Sequence, residues 1–235
     1  MSQHYATIVK GTELEDTRVI LQFLKGMVGQ RFNMLNYFKE IPVSFDAVLL
    51  SVENQMAEFA IHEYQAKVIE TERKSLIRAH AKSPFREDIV GEAFYVSSIK
   101  KRAILCKFWY ANNLAGMRRF VRVQLDKPVE ADLICDDEVL KGHVKVISLG
   151  GASVEVPSSE LLFTGMDINL FLKLPDLTSN SVVEAALNAT IIKVTGEQAP
   201  FSCVLEFHVE KFSQQQLAHF VNQRQVEIIR ELKNL

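Results

Sequence analysis

Cysteine is scarce in this chain: Cys106, Cys135 and Cys203 are an odd number, with no C-x-x-C spacing among them. That argues against a disulfide framework or a thiolate zinc site and reads as reduced thiols packed in a core. No apolar run reaches about 18 residues, and no charged-then-apolar leader opens the sequence, so neither a membrane span nor a signal peptide is indicated and the expected location is cytoplasmic. Charge of one sign is missing too, because 27 Lys and Arg stand against 29 Asp and Glu. A surface-wide funnel for nucleic acid is therefore not expected, and any anion site must be local. The six histidines are scattered. With no H-E-x-x-H, G-x-S-x-G or Walker-type loop, the sequence gives no reason to expect an enzyme, a metal or a cofactor, and "DDE" at 136–138 reads as a turn.

What is present points to packed globular structure. Hydrophobic residues make up 48% and charged residues 24% of the 235 positions, enough for a core and too long for one average domain. Two domains are expected, at 1–110 and 118–235, joined by a linker at 111–117 where the turn-rich "YANNLAG" falls. Everything before Gly11 reads as a loose tail. Thr12 followed by Glu15 makes a capping box, and Leu14, Val19, Ile20, Phe23, Leu24, Met27 and Val28 recur at helical spacing, which predicts a helix over 13–28.

From Val43 to Tyr110 the pattern changes to short runs rich in Val, Ile, Phe and Tyr: "VSFDAVLLSVE", "MAEFAIHEY", "QAKVIETE", "EAFYVSSIKK" and "RAILCKFWY". These suggest a small antiparallel barrel or sandwich, interrupted by "AHAKSPFRED" as a loop. Six further strand-like segments follow: "VEADLIC", "LKGHVKVIS", "GASVEVP", "MDINLFLKLP", "VEAALNATIIKVTG" and "FSCVLEFHVEKF". Their turns imply a closed or nearly closed barrel. Ser213 with Gln216 reads as a second capping box. Behind it Leu217, Phe220, Val221, Ile228, Ile229, Leu232 and Leu235 form the apolar stripe of a C-terminal helix, read as core cover. The expected fold class is mainly β with flanking helices.

Two local features carry chemistry. "MRRFVRVQL", beginning at Met117, gathers Arg118, Arg119 and Arg122 beside the linker. A guanidinium fork suits phosphate oxygens and the O6/N7 edge of guanine, so the group suits a nucleotide. Arg118 and Arg122 share a side whether the stretch is helical or extended. The second feature is "VKVISLGGASVEV", in which Ser148, Gly150 and Gly151 occupy a tight turn between strands. Adjacent glycines permit positive φ and close approach of a ligand, and the serine hydroxyl can donate or accept.

Together the two features resemble the signature of the PilZ domain family, bacterial receptors for cyclic di-GMP. The resemblance rests on Arg118-x-x-x-Arg122 followed by Val146-Ile147-Ser148-Leu149-Gly150-Gly151, and covers roughly residues 115–235. With a barrel-like domain before it, the chain resembles the two-domain flagellar-brake (YcgR-like) effectors. The resemblance implies an N-terminal split-barrel-like domain, then a six-stranded antiparallel PilZ-like barrel and a C-terminal helix. It implies Arg118, Arg122, Ser148 and Gly151 as ligand contacts, Gly150 as the shaper of the turn and Arg119 as an assistant. It implies cyclic di-GMP as ligand and a protein partner, in that family often flagellar motor machinery. Met117, where some relatives carry a further Arg that holds a stacked ligand dimer, implies one ligand molecule per site.

Val146 departs from the pattern, for the family has Asp or Asn there, accepting hydrogen bonds from the guanine edge. Leaving those donors unpaired costs about 1–3 kcal/mol. The expected mechanism is ordering of residues 111–122 by the ligand, which changes the arrangement of the domains and so regulates a partner. The alternative is a ligand-independent adaptor whose arginines meet acidic side chains or phosphates of another protein. Small split barrels can also bind flavin, a third reading that the colour of the pure protein decides.

Overall fold

The computed structural model describes residues 4–79, 85–135, 138–176, 179, 181–208 and 211–235, with the side chains of Lys211 and Phe212 left aside. The core of the expected loop "AHAKSPFRED" at 80–84, and residues 136–137 of the expected "DDE" turn, lie outside the described residues. The chain divides into two units. The first comprises Met1–Phe38, Pro42–Arg118 and Glu231–Leu235; the second comprises Lys39–Ile41 and Arg119–Arg230.

In the first unit the order is β1 (Tyr5–Ile8), α1 (Glu13–Lys25), β2 (Arg31–Phe38), β3 (Ile41–Glu53), β4 (Met56–Ala60), α2 (Glu63–Glu72), β5 (Lys74–Ile77), β6 (Asp88–Ser97) and β7 (Arg102–Asn113). The strands follow the order β1-β7-β4-β3-β2-β5-β6, and β6 also pairs with β7, so six of them close a ring. One edge of β7 is shared, with β4 along Arg102–Leu105 and β1 along Tyr110–Asn113. Ile20 and Leu24 of α1 are fully buried together with Phe32, Met34, Leu49, Phe59, Ile69, Ile77, Ile89, Leu105 and Phe108. Phe32 and Phe59 meet edge to face at 6.2 Å, the geometry that their ring quadrupoles favour.

Four expectations for this half need correction. The residues before Gly11 are no loose tail, because Tyr5–Ile8 forms β1 in register with β7. The "YANNLAG" stretch is not linker from its start, since β7 runs through Asn113 and a single 3-10 turn follows at Ala115–Met117. α1 does begin at the Thr12 capping box but stops at Lys25, and Leu14, Val19, Phe23 and Val28 stay exposed. "QAKVIETE" is helical rather than extended. Gln65, Ala66, Val68 and Ile69 fall on one buried face of α2, and its alanine, glutamine, lysine and glutamates are good helix formers. The His62 ring accepts from Tyr64 N at its start, and Arg73, left-handed at φ 59°, ends it.

In the second unit β8 (Arg122–Cys135), β9 (Glu138–Ser148), β10 (Gly151–Val156), β11 (Asp167–Pro175), β12 (Val182–Thr195) and β13 (Phe201–His208) close a barrel in the order β10-β13-β12-β11-β8-β9. All six fall on expected segments, but β8 begins at Arg122, ahead of "VEADLIC", and the last, expected to run through Phe212, ends as a strand at His208, with a helix beginning at Lys211. Period-two alternation turns Ile168, Leu170, Leu172 and Leu174 of β11 inward, with Ala185, Leu187, Ala189 and Ile191 of β12 beside them. Cys135 and Cys203 also lie inside, and burial pushes the Cys203 thiol up to about 12.

Helix α3 (Lys211–Asn234) buries Leu217, Phe220, Val221, Ile228 and Leu232, while Ile229 and Leu235 of the expected stripe are exposed. Ser213 is not its cap, because the helix has already started at 211 and the serine hydroxyl donates to the Ala186 carbonyl at 2.9 Å. Among the described residues no helix is long and apolar enough to cross a membrane.

Candidate functional site

The outward face of β8, β9, β10 and β13 is built from cross-strand rows. Arg122, the first residue of β8, stands directly opposite Ser148, the last of β9; Ser148 stands opposite Gly151 around the β9–β10 turn; Gly151 stands opposite Glu206 of β13. One step along each strand pair on the same face lies the row Gln124, Val146, Ser153 and Val204. Residues so paired have Cβ atoms about 4.5–5.5 Å apart, so the second row is a continuous strip of side chains, and the first is interrupted at Gly151.

The turn is a two-residue connection, Leu149 and Gly150. Ser148 Oγ accepts from Gly150 N at 3.3 Å and donates to the Gly151 carbonyl at 3.2 Å, so the hydroxyl braces the turn from inside. Phe207 N donates to the Gly150 carbonyl at 3.0 Å, tying the turn to β13.

The glycines act differently from the expectation. Positive φ occurs at Gly29, Gly165 and Gly196, not at Gly150 or Gly151, so backbone conformation is not what the turn requires. Space is. A Cβ on Gly150 would lie 2.7 Å from Cδ2 of Phe120, and one on Gly151 would lie 2.2 Å from the Leu205 carbonyl oxygen. The first glycine admits an aromatic ring, and the second lets β10 and β13 approach.

Arg122, Ser148, Gly150 and Gly151 are thus brought to one place. Arg119 reaches it indirectly, its guanidinium 5.1 Å from the centre of the Phe120 ring that covers Gly150. Arg122 is half-buried and Arg119 exposed. Arg118 follows the 3-10 turn, its N donating to the Ala115 carbonyl at 3.3 Å, and closes the span of the first unit.

The sequence reading passed over the groups that hold β8. Between Gln124 and Val129 the β8–β9 register shifts, leaving residues 125–128 as a bulge in which Leu125 is buried. At Gln124 the backbone N donates to the Lys39 carbonyl and the carbonyl accepts from Arg224 Nε, each at 3.1 Å. Arg224, buried in the apolar stripe of α3, also donates to Asp126 Oδ2 at 2.6 Å and to Glu227 at 3.0 Å. Lys39 Nζ donates to both Asp126 oxygens, at 2.6 and 2.7 Å. Partial burial pushes the Asp126 carboxyl up, but the hydrogen bonds from Lys39 and Arg224 outweigh it and hold its pKa below the usual 3.8. Period two from Arg122 was a signal for Gln124 and for Phe120. Nothing local marked Arg224.

The family described as PilZ domain matches residues 117–223. No curated protein sequence matches the chain. Among solved structures, the Bacillus subtilis inhibitor of motility MotI/DgrA is similar at 14% identity and a TM-score of 0.43, over 85% of this chain and 98% of that one. YcgR from Escherichia coli, in complex with c-di-GMP, is similar at 12% identity and a TM-score of 0.43, over 98% and 96% of the two chains. The K. pneumonia MrkH–c-di-GMP complex is similar at 13% identity and a TM-score of 0.42, over 97% and 99%.

Proposed function

We propose, from the match of residues 117–223 to the PilZ domain family, that this chain is a receptor for cyclic di-GMP that passes ligand occupancy to a protein partner. The observation that carries the reading is the row Arg122–Ser148–Gly151, which sets a guanidinium beside a braced hydroxyl and a position without a side chain. A guanidinium fork pairs two phosphate oxygens at once, and Ser148 Oγ, its proton given to the Gly151 carbonyl, keeps a lone pair that can accept from a ligand N–H. Arg118 and Arg119 are the remaining arms. They flank the boundary between the two units, so a ligand that engages them acts on the segment joining the units.

Binding there changes the inter-unit arrangement and so presents or withdraws a surface for the partner, with motility the process it regulates. The ligand drives the change only by its different affinity for the two arrangements. Catalysis forms no part of this reading. The chain acts by binding.

Calorimetric titration of the full chain with cyclic di-GMP tests it. Saturable binding with one ligand per site is expected, weakened about a hundredfold or more in Arg122→Ala at unchanged melting temperature. Absence of heat at millimolar ligand in a folded protein overturns it.

Val146 favours a second reading. An apolar side chain stands between Gln124 and Ser153 in the second row, where it neither donates nor accepts. On that reading the face binds a protein directly, the arginines meeting acidic groups, and partner capture is indifferent to cyclic di-GMP.

A further inference from the structure

The outward face of β11, β12 and β13 carries its own cross-strand rows, on strands that take no part in the β9–β10 turn. Asn169 of β11 stands opposite Asn188 of β12, and Asn188 stands opposite His208 of β13. One step along, Phe171 stands opposite Ala186. The start of α3 closes this side, because the Ser213 hydroxyl donates to the Ala186 carbonyl at 2.9 Å. These residues line a hollow of about 170 Å³, which the short side chain of Ala186 leaves unfilled. It is below the roughly 300 Å³ at which drug-sized pockets begin and equals about five or six molecules of liquid water, which is room for one ring.

The hydrogen-bonding groups of the hollow are uncommitted or fixed in direction. Neither the Asn169 nor the Asn188 carboxamide is engaged by another described residue, so each keeps two N–H donors and an acceptor oxygen. His208 is held in one form. Thr190 Oγ1 donates to Asp167 Oδ1, so toward the imidazole it only accepts, and His208 Nε2, 2.7 Å away, carries the proton. In the neutral ring Nδ1 then keeps its lone pair.

Charge selects against an anion. Among the described residues of the lining there is no Lys or Arg, and the next row on the same face is Asp167–Thr190–Glu206, with a carboxylate at each end. An amine finds no carboxylate in the lining itself. A purely apolar guest would strip water from Asn169, Asn188 and His208 and return no hydrogen bond. What fits is a neutral ring with donors and acceptors at its rim and an apolar face. A saccharide has both: its hydroxyls pair with carboxamides in either direction, and its C–H face rests on the negative face of an aromatic ring.

We propose that the hollow between β11, β12, β13 and the start of α3 binds a saccharide ring, with Phe171 as its platform and Asn169, Asn188 and His208 as its hydrogen-bonding rim. The site is independent of the receptor reading, and cyclic di-GMP does not enter its test.

The full chain, isotopically labelled and followed at the side-chain amide signals of Asn169 and Asn188, is titrated with D-glucose, D-galactose, D-mannose and N-acetyl-D-glucosamine. Adenine and inorganic phosphate serve as controls. At least one sugar is expected to shift both signals saturably in the millimolar range, and neither control should. Phe171→Ala should weaken that sugar about tenfold and Asn188→Ala about fivefold, with melting curves unchanged because both side chains are exposed. Phe171→Trp should retain it. Silence of all four sugars at hundreds of millimolar overturns the proposal. So does undiminished affinity in Phe171→Ala, or adenine or phosphate binding there more tightly than every sugar.

Discussion

The ring of Phe120 fills the space that a side chain on Gly150 would need, with Cδ2 only 2.7 Å from the position of a Cβ. The segment that carries the arginines is thereby packed onto the turn that carries the serine. Gly150→Ala must push the ring aside, and crowding of this kind costs about 1–3 kcal/mol. Thermal unfolding checks it. In the Phe120→Ala background the same substitution should cost far less, because the two residues are in contact and their effects do not add.

Gly151→Ala should be worse. Its Cβ would meet the Leu205 carbonyl oxygen at 2.2 Å, and this neighbour is backbone that cannot rotate away. The β10–β13 pairing has to open locally. A loss of about 3 kcal/mol or more is expected in chemical denaturation, at the upper end of what overpacking does. Loss of protection at the amides of β13 would locate the damage.

The acid limb of stability should depend on Asp126. Its pKa in the folded protein is depressed, because hydrogen bonds from Lys39 and Arg224 outweigh the opposing effect of burial. The unfolded chain therefore binds the proton more readily. The contribution is present above the ordinary carboxylate pKa and is lost as pH falls through the lower, folded value. Asp126→Asn removes that slope. A melting temperature measured from pH 6 down to pH 2 should fall less steeply in the variant, and a parallel decline would show that the ion pairs add nothing.

Glu72 should act with the opposite sign. Burial raises its pKa above 4.5, more than the hydrogen bond from Asn36 Nδ2 at 2.6 Å lowers it. The folded state holds the proton longer, so stability declines as pH rises from the usual value through the folded one, and then levels off. Glu72→Gln is expected to erase that decline while keeping an acceptor for Asn36. Unfolding measured across pH 4 to 8 decides the matter, and a variant with the same pH dependence as the parent would refute the assignment.

The second barrel was legible because its strands alternate so cleanly: "DINLFLKLP" declares both its faces, and six such segments leave little freedom of topology. Arg122, Ser148 and Gly151 could be singled out because their side chains, or lack of one, have few uses apart from a ligand or a close approach. α2 was misread because ten residues containing Val68 and Ile69 satisfy either period, and only packing of Gln65 and Ala66 against the first core decides. β1 was missed because four residues carry too little pattern on their own; pairing with β7 makes them a strand. Arg224 was invisible for a different reason. A cation in an apolar helical stripe breaks the local rule, and its carboxylate partner Asp126 lies 98 positions earlier.

The amide hydrogen that Phe207 gives to the Gly150 carbonyl has a lasting implication. A loop between two strands is ordinarily the softest part of a barrel, but this one is stitched to a neighbour on its far flank and cannot yaw. The glycine corner is an anvil. On the proposed receptor reading, a guest meets a corner that is already set.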